Sequence, residues 1–399
     1  MAVFSPIPIN RLAGSCLRTR SAHVTILKQR RRTLHTVTFF NIGNADSCLI
    51  ELENGRRAMF DFADMRDAND KADKRCDLEK ELRDRMGDDK EIDVVAFTHF
   101  DADHCKRAKD VFELDHADKY KGGDRIKIKT MWVPASAILE VGVTGQARTL
   151  RAEARYRFIQ GYGIRVFSRP DALDAFLRER EIDPAKRRNL ISDAGTLCPE
   201  FNLDHDGVEF FVHSPFAEHC DDDVIVRNDS ALYMQATFEV EGRETKMILS
   251  ADVPYDVIDH IVRVTKYHGN EHRLEWDINN VAHHSSWKSL GPEKGKDETV
   301  PSENVAWLHE DQGQPGGLLV STSWPVPSED GDQPPHRQAA AYYRTVAAGI
   351  GGKYLVTMEQ PSSSKPEPLV IEIGGKGYTI RKRSGGSAAI VASAAPRAG

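Results

Sequence analysis

Residues 92–104 read Ile92-Asp93-Val94-Val95-Ala96-Phe97-Thr98-His99-Phe100-Asp101-Ala102-Asp103-His104. The first half, IDVVAFT, is a short apolar run rich in β-branched and aromatic residues, the pattern of a buried strand. The second half places four side chains that bind divalent metals, His99, Asp101, Asp103 and His104, within six residues. Such a strand buries its body and projects the loop after it into a cleft. His99 and Asp101, two apart, can point together at one metal. Asp103 and His104 can turn to a second metal as a helix begins. Asp103 alone would suit a helix N-cap, but a charged quartet directly after an apolar strand has little structural purpose.

Two further strand ends complete a candidate site. Met247-Ile248-Leu249-Ser250-Ala251-Asp252 is an apolar run ending in a carboxylate, which could bridge two metals. Ile278-Asn279-Asn280-Val281-Ala282 leads into His283-His284-Ser285-Ser286. A strand-end Asp is by itself more often a cap or a turn residue. Three strand-end clusters in one chain shift the balance towards a metal centre.

Around them the chain alternates strands and helices. Strands are expected at 36–42, 47–53 and 56–62, the last two joined by Asn54-Gly55, a strong hairpin signal. A helix at 77–86 precedes the strand 92–98, and a helix at 104–114 precedes a strand at 126–133. Strands return at 208–213, 230–240 and 245–250, followed by a helix at 255–265, strands at 278–282 and 318–322, a helix at 338–348 and a strand at 353–357. This order suggests two similar β/α halves.

At this point the sequence resembles the metallo-β-lactamase fold superfamily, and most closely the soluble hydrolase domain of competence-type DNA-uptake proteins. TFFNIGNADSCLIEL looks like that group's opening strand pair, RAMFDF like the next strand ending in Asp, and THFDADH like its H-x-D-x-D-H signature. HSP (213–215) and NDS (228–230), LSAD, AHHSS, QPPHRQ and KYLVT resemble later motifs in the same order. The resemblance spans about 36–380 and implies an α/β, four-layer αβ/βα sandwich. It makes His99, Asp101, Asp103, His104 and Asp252 metal ligands, with His283 or its neighbour His284 closing the second site. Asp61 would orient the ligand loop. His213 is the first candidate for the middle ligand, with Asn228 and Ser230 behind it. The chain departs from the group at Asn44-Ala45, where Gln-Gly is usual, and lacks a Gly pair after Asp103-His104. Ala251 and Ser285 also stand where Gly is usual.

Asp101 replaces the second His of the commoner lactamase-type pattern. That makes the first site richer in oxygen and moves its preference from zinc towards manganese. Two such ions lower the pKa of water to near 7 and clamp the oxygens of a displacement. The expected cofactors are therefore two divalent ions, zinc or manganese, and the expected activity is hydrolysis of a phosphodiester in nucleic acid or a nucleotide. Asp103, His283 and His284 are the candidate catalytic residues, one His serving as ligand and the other as proton donor to the leaving oxygen. Ser285 is a candidate substrate contact. Residues 145–200 read as a helical, Arg-rich insertion in which Arg148, Arg151 and Arg155 share one face, suited to a phosphate. Lactone, ester or amide hydrolysis is the alternative chemistry, and a metal-stabilised interaction module the non-enzymatic one. Cys105 reads as a small buried hydrophobe and His336 as a surface loop residue.

The charge balance bears on the substrate. The 399 residues hold 54 Lys and Arg against 61 Asp and Glu. Residues 1–45 carry no acid, which leaves 47 against 61, a net −14, in the remainder. An acidic body argues against a protein that coats DNA. No run approaches the length of a membrane span, so a channel role is not expected, and a protein partner or a homodimer is left open. Six scattered cysteines without a C-x-x-C pair suit a reducing compartment. The cytoplasm is expected, with organellar targeting by the basic start as the alternative. The domain itself is expected over 35–382, between a basic tail at 1–34 and a Gly/Ser/Ala-rich tail at 383–399.

Overall fold

A computed structural model describes residues 34–221 and 224–381. The expected tails lie outside the described residues, apart from Leu34. The strands are β1 (His35–Phe39), β2 (Cys48–Glu51), β3 (Arg57–Phe60), β4 (Glu91–Ala96), β5 (Lys127–Pro134), β6 (Ile164–Phe167), β7 (Ile191–Ser192) and β8 (Val208–Ser214). They continue as β9 (Tyr233–Val240), β10 (Arg243–Leu249), β11 (Trp276–Asn280), β12 (Gly313–Ser321), β13 (Lys353–Val356), β14 (Leu369–Gly374) and β15 (Gly377–Ile380). The longer helices are α1 (Leu78–Met86), α2 (Gly145–Gln160), α3 (Asp171–Arg178), α4 (Tyr255–Tyr267) and α5 (Arg337–Gly349).

Two sheets form. One has the order β15-β14-β1-β2-β3-β4-β5-β6-β7 and the other β13-β12-β11-β10-β9-β8. Period-2 side-chain alternation separates their faces. In β5, Trp132 enters the core between the sheets, whereas Met131 and Val133 turn outward towards α2 and α3. In β10, Met247 and Leu249 face the inter-sheet core while Ile248 packs against α4. Both faces of each central strand are thus apolar, as expected for sheets covered on both sides. The layers run helix, sheet, sheet, helix, the four-layer αβ/βα sandwich expected from the sequence.

Two local features differ from expectation, and a third adds to it. The segment 145–200 is not simply helical, because β6 pairs in parallel with β5 and β7 in parallel with β6, extending the first sheet. The helix expected at 104–114 is two short turns, Ala102–Cys105 and Ala108–Val111, broken at Arg107 with φ 65°. The hairpin β14–β15 sits beside β1, pairing His35 with Ile373. Among the described residues no helix is long and apolar enough to cross a membrane. Cys48, Cys76, Cys105, Cys198 and Cys220 are free thiols.

Candidate metal centre

The site lies where strands of both sheets end together. β10, β11 and β12 are parallel, with Leu249 opposite Asn280 and Asn280 opposite Val320. Asp252 and His283 therefore each lie three residues beyond one register row, and Thr322 two beyond it. In the other sheet Phe60 pairs with Ala96 in parallel, which sets Asp61 beside the start of the loop Thr98–His104. The turn between β1 and β2 brings in Asp46.

Asp46, His104, Asp252 and His284 form a buried group in which one ligand atom from each lies within 4.8 Å of all the others. His104 Nε2 is 3.2 Å from Asp252 Oδ1, and His284 Nε2 is 3.6 Å from the same oxygen and 3.5 Å from Asp103 Oδ2. The His99 ring lies 4.0 Å from the His104 ring, tilted by 46°, and its Nε2 is 3.5 Å from Asp101 Oδ2. The loop thus brings His104 to the strand-end Asp and Asp103 to His284, with His99 against His104 and Asp101 against His99.

The far side of each ring is tied down. Asp61 accepts from His104 Nδ1 at 2.7 Å, from Thr98 Oγ1 at 2.7 Å and from the Thr98 amide at 2.8 Å. His284 Nδ1 donates to the Thr322 carbonyl at 2.9 Å, and Thr322 Oγ1 donates to Asp46. Both imidazoles therefore keep Nε2 directed inward, the arrangement in which metal-binding histidines are held.

Inside the cluster, His99 Nε2, His104 Nε2, His284 Nε2 and Asp252 Oδ1 are buried without a hydrogen-bond partner. The 3.2 Å approach of His104 to Asp252 lacks hydrogen-bond alignment. Each buried polar atom left unpaired costs about 1–3 kcal/mol, and a cation among them would satisfy His104 Nε2, His284 Nε2 and Asp252 Oδ1. Burial opposes charge on His104, but Asp252 and Asp61 outweigh it and hold its pKa well above the ordinary imidazole value. For His284 burial is outweighed by Asp252 and Asp103, and the pKa rises to about 9. Burial also works against ionised Asp252, yet His284 and His104 keep its carboxyl well below the usual range. Burial lifts Asp46 above that range. Protons on the imidazoles thus balance the carboxylates where cations would otherwise do so. The donor set fits metal ions.

Several expected residues are placed elsewhere or differently. The buried group takes His284. His283 stands at the rim, its side chain 22% exposed and Nε2 3.6 Å from Asp252 Oδ2. His213 does not join the cluster: Nε2 donates to the Arg273 carbonyl at 2.9 Å, Nδ1 faces Thr265 Oγ1 at 3.4 Å, and burial pushes its pKa down to about 4. Its strand, β8, lies at the far edge of the second sheet. Ser230 Oγ donates to the Val226 carbonyl, and Asn228 lies in the same loop.

Ser285 is fully buried and turned inward, bonded to Ser321 Oγ at 2.9 Å and Tyr354 Oη at 2.7 Å, so it does not present its hydroxyl to a substrate. Two of the three candidate arginines of α2 are spent internally. Arg151 donates to the Glu140 carbonyl and Arg155 to the Ile138 carbonyl, capping the short helix Ala135–Leu139, while Arg148 is exposed. Cys105 packs in the helix-side core. His336 is buried, its amide donating to the Ser285 carbonyl.

Asp46, Thr98, Thr322 and Arg227 carry the site without having stood out in the sequence. Asp46 is the first carboxylate of the chain, the signal that could have drawn attention to it. Arg227 binds Asp101 Oδ1 at 2.5 Å and Glu140 at 2.9 Å. Burial would raise the Asp101 carboxyl, but His99 and Arg227 together hold it below its ordinary value.

No family model and no curated protein matches the sequence. Among solved structures, the chain is similar to one described as a new diphosphatase from the PhnP family, with a TM-score of 0.27 and 11% identity over 70% of this chain and 83% of that one.

Proposed function

We propose that the chain is a dinuclear metal-dependent hydrolase of phosphodiesters, acting on nucleic acid or a nucleotide. The observation that carries this reading is the set of unpartnered buried atoms converging on Asp252 Oδ1. His99, Asp101, Asp103, His104, Asp252 and His284 would hold two ions, manganese or zinc, with Asp46 close by. When bound, such ions supply Lewis acidity towards an ester oxygen and bring the pKa of water near 7.

The protein's own groups do the rest. Asp61 and the Thr322 carbonyl fix the tautomers of His104 and His284. Arg227 draws one Asp101 oxygen away and leaves the other towards His99. His283, half-buried at the rim, would face the leaving oxygen; burial lowers its pKa against the pull of Asp252, so its proton-donating form is favoured at acid pH. The oxygen-rich donor set favours a phosphodiester over a β-lactam, because hard ligands suit the cations that bind phosphate oxygens.

The test is hydrolysis of bis-p-nitrophenyl phosphate, beside a lactone and nitrocefin panel, by purified protein loaded with manganese or zinc. Turnover of the phosphodiester is expected, with Asp252→Asn lowering kcat by at least about 100-fold. Protein that retains no metal and leaves the phosphodiester intact would overturn the proposal.

A further inference from the structure

A second group of metal-type side chains converges at the surface, where the short helix Glu218–Asp221 meets α4. Glu218 Oε1 lies 3.8 Å from His219 Nε2 and 3.3 Å from His260 Nδ1. One ligand atom from each of the three residues falls within 4.8 Å of the other two. Ligands at about 2.0–2.1 Å from a tetrahedral zinc stand roughly 3.4 Å apart. Two of the three edges are therefore near that spacing already.

The protonation of His219 points the same way. Its Nδ1 is 2.9 Å from the Asp229 carbonyl. A carbonyl only accepts, so Nδ1 carries a proton and Nε2 is the atom turned to the Glu218 carboxylate, where a second proton or a metal ion can join the two. A carbonyl on the remote nitrogen is also how metal-binding imidazoles are oriented. Phe216 holds the pair of rings: it stacks on His260 at 4.2 Å and 18° and meets His219 edge-on at 5.8 Å. The Glu218 side chain is 65% exposed, which leaves a remaining ligand position open to water.

We propose that Glu218, His219 and His260 bind one zinc-type divalent ion at the surface, separate from the buried cluster, with water completing its coordination. The site stands whether or not the buried cluster is hydrolytic. Its reach is longer than its size implies. The carbonyl that orients His219 belongs to Asp229, two residues from Arg227, and Arg227 grips both Asp101 and Glu140. An ion joining Glu218 and His219 to α4 steadies the loop that carries this arginine to the buried centre.

The experiment uses the full chain and counts metal. After zinc loading and dialysis, elemental analysis should find one equivalent fewer in His219→Gln/His260→Gln than in the wild type. Cobalt titration followed by visible absorption should show one site weakened at least tenfold. Glu218→Gln, at an exposed position, should weaken the same site and serves if the double variant does not fold. In a His104→Asn/Asp252→Asn background one equivalent should persist, and it should vanish when His219 and His260 are also replaced. Unchanged stoichiometry and cobalt spectra in the His219, His260 and Glu218 variants would leave only an ion pair and overturn the proposal.

Discussion

His283, His284 and Ser285 have φ of 52°, 54° and 65°, and Ala251, just before Asp252, has φ 49°. The left-handed region costs a residue with a Cβ roughly 1–2 kcal/mol. Ala251 and Ser285 were legible in the sequence as departures from glycine, but the sequence did not reveal that the backbone keeps the shape glycine would take. Ala251→Gly is therefore expected to raise stability by about 0.5–1 kcal/mol, once glycine's extra unfolded-state entropy of about 0.4–1 kcal/mol is set against the relief of strain. Ser285→Gly should gain nothing, because it removes the bonds to Ser321 and Tyr354. Urea unfolding of both variants decides the matter, and a destabilised Ala251→Gly protein would refute the strain argument. Asp61 bears on the metal instead. Its φ of 58° suits asparagine, so Asp61→Asn should fold while weakening metal binding about 10–100-fold through the loss of the His104 anchor. Competition with a chelator measures this, and unchanged affinity would remove Asp61 from the site. The quartet 99–104 and Asp252 were readable because each follows an apolar run. Asp46 was not, because a single carboxylate in a turn has no pattern around it.

Helix α2 shows how an element can mislead. Its arginines suggested a phosphate-binding face, yet the chain uses them to hold the helix down. Arg157 is buried, with Nε on Glu153 at 2.5 Å and Nη1 on the carbonyls of Ile128 and Gly163 at 2.9 Å each. Glu153 is fully buried and also accepts from the His116 amide and ring at 2.9 Å. Burial works against the Glu153 charge, but Arg157 more than compensates and the carboxyl lies below its ordinary value. Its stabilising contribution is thus present above the unfolded carboxylate pKa of about 4.3 and is lost as pH falls through the lower folded value. Arg157→Met leaves that carboxylate without its cation and should cost about 3–5 kcal/mol at neutral pH. Thermal unfolding tests this, and a loss under 1 kcal/mol would mean that His116 alone suffices. Periodicity identified the helix but could not say whether an arginine points to solvent or to a carbonyl. β7, two residues long, is too short for any pattern, and β14 finds its partner β1 more than 300 residues away in sequence.

For the molecule as a whole, the two sheets were foreseeable from alternation and from the resemblance, whereas their strand order was not. The shared register row Leu249–Asn280–Val320 brings the second sheet's contributions together. Acid sensitivity is a property at this scale. Burial holds His309 neutral, with its pKa pushed down to about 4 and Nδ1 donating to the Val305 carbonyl at 2.9 Å. The unfolded chain takes a proton there at about pH 6.5 that the folded chain refuses, so stability falls as pH drops from about 6.5 towards 4. Between pH 6.5 and 5 this one group accounts for about 2 kcal/mol. Urea midpoints should show His309→Gln losing that much less than the wild type over this interval, and parallel losses would contradict the assignment. The position of β1 has another consequence, for synthesis. It lies between β2 and β14, so the first strand among the described residues completes its pairing only with one of the last. At about 5–20 residues per second a ribosome takes tens of seconds to cover that distance. Until the β14–β15 hairpin emerges, the β14 side of the strand carrying Val37 and Phe39 lacks its native partner.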